Sequence, residues 1–179
     1  MRKLLALALI AAFQLAGAQE KMSTKTGKIT FEASVPSFEE VRAKNDAATC
    51  VLNSQTGEIA SLAMVKGFRF KVALMEEHFN ENYLESDKYP KATFRGKIDN
   101  FNVADLTESP KNYTLRGKLE LHGKSKEITA PAKIRKTAGG IEIVTDFVVN
   151  TNDFEIGIPA VVRNKVSKNV SVHGEFLVK

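Results

Sequence analysis

Residues 113–149 read YTLRGKLELHGKSKEITAPAKIRKTAGGIEIVTDFVV. Tyr113, Leu115, Gly117, Leu119 and Leu121 alternate with polar neighbours, Gly123-Lys124 turns the chain, and Ile128–Ile134 returns as a hairpin partner. Ala138-Gly139-Gly140 turns it again, and Ile141, Ile143, Thr145, Phe147 and Val149 form the next alternating set. A period of two marks a strand with one buried face. Connections this short join antiparallel strands, because a parallel crossover needs about a dozen residues or more.

The same pattern extends in both directions. Upstream, Ala92, Phe94, Gly96 and Ile98 alternate with Thr93, Arg95 and Lys97, before a polar loop at Asp105–Asn112. Downstream, Val170, Val172, Gly174, Phe176 and Val178 share one face of Val166–Val178. Near the start, Ile29, Phe31, Ala33 and Val35 alternate within Thr26–Val35, and Pro36 ends that strand because it cannot donate to a ladder. A strand is expected at Ala47–Leu52 after a bend candidate at Asn45-Asp46, with a turn at Asn53–Gly57 and a partner strand at Glu58–Val65. Gly67, Phe68 and Phe70 continue that strand or begin the next element.

One segment departs from the pattern. Leu74–Leu84 repeats at three- and four-residue spacing and predicts a short helical insert with apolar members Leu74, Met75, Phe79, Tyr83 and Leu84. A polar break at Ser86–Lys88 follows, and Pro90 holds Tyr89 extended. The fold class is therefore all-β: about eight antiparallel strands and one short helical insert. A closed barrel and a sandwich both satisfy the strand count. Gly96, Gly117 and Gly174 fall on apolar faces, where they relieve crowding at bends, leave room for a guest, or mark bulges.

The first 18 residues read as a secretion signal. Arg2 and Lys3 precede an apolar run from Leu4 to Leu15, and Ala16 and Ala18 stand in the small-x-small arrangement before a cut at Gln19. The run is short of the roughly 20 residues that span a bilayer. The mature chain, Gln19–Lys179, suits a single domain. Removing Arg2 and Lys3 lowers the formal charge of +5 to about +3, and the lysines are scattered among acids. That balance argues against nucleic acid. Cys50 is the only cysteine, so no internal disulfide exists, and its apolar surroundings mark it as a small buried hydrophobe.

Catalytic signals are weak. His78, His122 and His173 lie on different elements without ligand-like spacing, and no metal site or cofactor is expected. Glu76, Glu77, His78 and Glu81 form the densest ionisable cluster, with Glu77 and Glu81 on one helical face; such pairs serve acid–base hydrolysis or simply face solvent. No serine nucleophile motif, phosphate loop or calcium loop occurs. The large rings on or beside apolar faces include Phe31, Phe94, Tyr113, Phe147, Phe154 and Phe176. They fit either an ordinary packed core or the lining of a cavity for a lipid tail.

The segment His78–Gly96, with its Tyr89-Pro90, Phe94 and Gly96, resembles the bacterial YceI-like family of polyisoprenoid-binding periplasmic proteins. Gly117–Gly123 followed by Lys126-Glu127-Ile128, and Asp153-Phe154-Glu155-Ile156-Gly157-Ile158-Pro159, are similar to later motifs of that family. The resemblance covers roughly Gly27–Lys179. It implies an eight-stranded antiparallel lipocalin-like barrel and, with the signal, a periplasmic or secreted location after cleavage; the strand pattern and the missing nucleophile motifs argue that the protein is not an enzyme. The resemblance also implies non-catalytic binding of an isoprenoid or other long-chain lipid, with Phe31, Phe79, Tyr83, Phe94, Tyr113, Phe147, Phe154 and Phe176 as candidate ligand-binding residues. The rival is a structural or protein-interaction module of the envelope with a filled core. No nucleic-acid partner and no membrane span in the mature chain are expected, and a homodimer stays open. One departure stands out. The first strand, Phe31-Glu32-Ala33-Ser34-Val35-Pro36, lacks the family's usual Ser-His pair. This implies either different contacts at the tunnel mouth or a partly filled cavity.

Overall fold

The structure is a computed structural model describing residues 21–179, so the signal read over residues 1–18 lies outside the described residues. Eight long strands carry the fold: β1 (Lys21–Ser34), β2 (Arg42–Asn53), β3 (Glu58–Met64), then β5 (Lys91–Ile98), β6 (Lys111–Leu121), β7 (Lys124–Thr137), β8 (Gly140–Asn150) and β9 (Val166–Val178); a two-residue strand, β4 (Arg69–Phe70), follows β3. All pairings are antiparallel. They run β1-β9-β8-β7-β6-β5-β3-β2, and β2 pairs back with β1, which closes the barrel and removes its edges. β4 extends the wall beside β2 where β3 has ended, pairing Ala43 with Phe70.

Two strands are longer than their alternation suggests. β1 begins at Lys21, in a polar stretch without a hydrophobic period, because its backbone pairs with β2 from Lys21↔Asn53 onward and Ser23 exchanges hydrogen bonds of 2.9 and 3.1 Å with Lys179. Asn45-Asp46, read as a bend between elements, instead lies inside β2 at a bulge in the β1 ladder. The Asn45 side chain makes this possible. Its Oδ1 accepts from Ala47 N–H at 2.9 Å and its Nδ2 donates to the Met64 carbonyl at 3.0 Å, so a buried amide replaces ladder bonds lost at the bulge.

Of the three glycines on apolar faces, two face each other. A Cβ on Gly117 would lie 2.3 Å from the Arg95 carbonyl and 2.5 Å from the Gly96 Cα, so β5 and β6 approach more closely here than any larger residue allows. Neither glycine of this pair lines the cavity described below, whereas Gly174 does.

The helical insert begins as α1 (Ala73–His78) and widens into a π-helical turn at Phe79–Tyr83, closed by Leu84 N–H to the Phe79 carbonyl at 2.9 Å. Met75, Phe79 and Tyr83 recur at i+4 and turn toward the barrel. Leu74, one residue out of that row, is 57% exposed and does not join the apolar face expected of it.

The wall between β7 and β8 splits halfway. Their ladder starts at Thr137↔Gly140 and ends at Ala132↔Thr145, next to Pro131, which has no N–H to donate. The Thr145 hydroxyl donates to the Pro131 carbonyl at 2.8 Å as the last cross-link. Beyond it, the connection from β8 to β9 fills the gap: Phe154 and Ile156 are buried against Leu119, Val149 and Ile128.

Candidate functional site

The inward faces divide the barrel into two halves. At the end carrying the turns after β2, β5 and β7, the interior is solid. Leu52, Ile98, Ile134 and Val178 are fully buried there, with Leu106 and Tyr113 beside them. At the other end a cavity of about 430 Å³ opens. Its lining starts at Cys50, Ile59, Leu115, Ala130, Ile143 and Phe176 and rises along the strands from there. The mouth lies between the β1–β2 loop (Phe38, Val41), α1 (Met75, His78) and the β8–β9 connection (Ile158, Val162).

One side of the mouth is built from phenylalanine. The Phe79 ring stacks on Phe31 at 5.3 Å between centroids and meets Phe70 and Phe68 at 5.2 and 5.9 Å, and Phe31 in turn contacts Phe68 at 5.3 Å. The chain positions these rings in three ways: alternation on β1 gives Phe31, the 3-10 turn at Val65–Gly67 with β4 gives Phe68 and Phe70, and the helical insert lays Phe79 across them. Offset and edge-on contacts of this kind add to the area buried.

Six of the eight candidate residues, Phe31, Phe79, Tyr83, Phe94, Phe147 and Phe176, line the cavity. Tyr113 sits below the floor, its ring 6.0 Å from Phe101 and its buried hydroxyl without a hydrogen-bond partner. Phe154 sits in the wall, where it seals the β7–β8 split. Sequence reading missed Ile158 and Val162 as lining residues, because the irregular segment that carries them has no period to read.

Polar groups are few and sit mainly near the rim. Glu39, His78 and Lys165 border the opening, and the buried Thr151 hydroxyl, also in the lining, has no partner. At the floor, burial pushes the Cys50 thiol up to about 12, which leaves it protonated and inert. The acidic cluster on the insert is dispersed. Glu76 accepts from Arg69 at 2.8 Å and from Phe70 N–H at 3.1 Å, whereas Glu77 and Glu81 are exposed. Among the described residues, no group of three or more His, Cys, Asp and Glu side chains could hold a metal ion.

A clasp at the mouth end ties the insert to the barrel. His122, in the β6–β7 turn with φ of 51°, places Nδ1 3.0 Å from the Phe154 carbonyl and Nε2 2.8 Å from Glu85 Oε2. A carbonyl only accepts, so Nδ1 carries a hydrogen. Tyr89 stands edge-on to the imidazole at 4.7 Å and lies over Gly123, where a Cβ would come within 2.5 Å of its ring. The segments around Tyr89-Pro90, His122-Gly123 and Asp153–Pro159 therefore meet at one place.

A closed antiparallel eight-stranded barrel is the lipocalin-like architecture, whose interior at this strand number has room for side chains or one small ligand. The family profile of the YceI-like domain matches residues 13–177, and the chain belongs to that family. Among solved structures, a polyisoprenoid-binding domain from Saccharophagus degradans, implicated in plant cell wall breakdown, superposes with a TM-score of 0.76 at 16% identity, covering 89% of this chain and 98% of that one. BcnA of Burkholderia cenocepacia gives a TM-score of 0.71 at 16% identity, covering 86% and 96%. The YceI protein of Campylobacter jejuni gives 0.53 at 15% identity, covering 88% and 84%. At these identities the likeness is one of fold. No curated protein sequence matches the chain significantly. No helix among the described residues is long and apolar enough to cross a membrane.

Proposed function

We propose that this protein binds the apolar chain of an isoprenoid lipid in the barrel cavity and carries it without chemical change, as an exported protein of the periplasm. One observation carries the reading: the barrel is left unfilled over half its length, and the space is walled by phenylalanine and aliphatic side chains with polar groups at the rim. A chain placed there loses its contact with water, worth roughly 0.8 kcal/mol per CH₂ before ordering costs. A polar head would remain at the rim beside Lys165 and His78, where water and charge are available. Membership of the YceI-like family, and the polyisoprenoid-binding description of the Saccharophagus degradans relative, support the same ligand class. The mature chain, residues 19–179, is taken as one domain, with Phe31, Phe79, Tyr83, Phe94, Phe147 and Phe176 as the contact residues. The test is titration calorimetry of the mature protein with a prenyl alcohol at several temperatures. The expected result is saturable one-to-one binding with a negative heat-capacity change, the mark of apolar burial. Absence of saturable binding would overturn the proposal.

A further inference from the structure

Resting on the reading of the cavity as an isoprenoid site, we propose that the filled half of the barrel acts as a ruler, so that affinity rises with chain length up to three isoprene units, a farnesyl-sized chain, and then stops rising.

The floor is built, not incidental. Going away from the mouth, the lining ends at Ile59, Leu115, Ile143 and Phe176, and the next inward residues along β6, β8 and β9 are Tyr113, Ile141 and Val178, all buried and none in the lining. Phe176 lies across Gly27, where a Cβ would come within 2.4 Å of its ring, so the ring covers the wall there.

Two independent measures size the space above that floor. By volume, an engineered cavity of about 150 Å³ lined by aliphatic and aromatic side chains holds benzene, or about 25 Å³ per carbon. At that density the cavity of about 430 Å³ holds about 17 carbons. By depth, the lining runs from Ile59 to Val65, from Leu115 to Leu121 and from Ile143 to Val149. Each run is roughly 20 Å of strand, or about 15 Å along the axis at a tilt near 40°. An extended polypeptide advances about 3.5 Å over three backbone bonds, roughly 1.2 Å each, so 15 Å takes about twelve bonds. Twelve main-chain carbons by depth and about seventeen by volume describe a methyl-branched chain rather than a straight one. A farnesyl chain, about fifteen carbons on a main chain of about twelve, meets both figures. Longer chains would leave their excess at the mouth, in water, where it adds no burial.

The experiment uses the mature protein, a fluorescent apolar probe displaced from it, and geraniol, farnesol, geranylgeraniol and straight-chain hexadecanol, all below their aggregation limits. Farnesol is expected to bind at least tenfold tighter than geraniol, because a full isoprene unit is newly buried. Geranylgeraniol should match farnesol within about threefold, and hexadecanol should bind more weakly than farnesol. Phe176→Ala removes a ring of about one isoprene unit in size and should restore a tenfold step from farnesol to geranylgeraniol; Leu115→Ala serves if the first variant does not fold. A tenfold or greater gain at geranylgeraniol with the unaltered protein would show that the chain passes the floor, and would overturn the ruler while leaving the binding function standing. A folded floor variant whose plateau does not move would also overturn it. Failure of all four alcohols to displace the probe would instead overturn the binding function itself.

Discussion

Phe79 joins the helical insert to the barrel through rings on three other segments, Phe31, Phe68 and Phe70. It is only partly buried, so truncation costs less than the roughly 3–5 kcal/mol of a full core ring. Phe79→Ala is expected to lower stability by about 2 kcal/mol in urea denaturation; a change within about 0.5 kcal/mol would show the insert to be a loose flap. At the same scale, His173 is a charge switch on the outer surface. Its ring lies 3.0 Å from Glu175 and 2.6 Å from Asp146, and these hydrogen bonds raise its pKa above the ordinary 6.5. The group therefore stabilises the fold fully below about pH 6.5, and that contribution is lost as pH rises through its raised folded-state value. The ring is 40% exposed, so the effect is screened and stays under about 1 kcal/mol. The melting-temperature advantage over His173→Gln should be larger at about pH 5.5 than at about pH 8.5, and an equal advantage at both would contradict the assignment.

Between residues and the whole, the elements show what sequence patterning conveys and where it stops. Alternation identifies which face of a strand is apolar, and it did so for β5, β6, β8 and β9. It does not give height along the barrel. Tyr113 and Phe147 share the same signature, yet one lies below the floor and the other lines the cavity. Phe154 belongs to no alternating run, and its place follows from the β7–β8 split at Pro131, a feature that depends on pairing rather than on either strand alone. Its ring is 2% exposed and substitutes for ladder bonds in closing the wall. Phe154→Ala is therefore expected to cost about 3–5 kcal/mol by denaturant titration. A loss below about 1 kcal/mol would mean that the split closes without it.

The whole molecule couples these parts. Eight strands leave an interior just wide enough for side chains or one small ligand, so filling is decided layer by layer. Here bulky aliphatic residues and Tyr113 fill one half, whereas phenylalanines around the rim of the other leave it hollow. The strands and the insert were legible because burial imposes a period of two on most of the strands, whereas the choice of a barrel over a sandwich rested on the family resemblance. The half-filled interior was not legible, since it depends on how side chains from strands distant in sequence meet across the axis. The mouth was legible only in part, because the β8–β9 connection that borders it carries no period. Ligand occupancy tests the central claim most directly: the protein, purified from its native source, is denatured, extracted and analysed by mass spectrometry for lipid. Binding of an apolar isoprenoid chain predicts a prenyl species at close to one per protein chain; clean protein that also takes up no prenyl chain on refolding would contradict it.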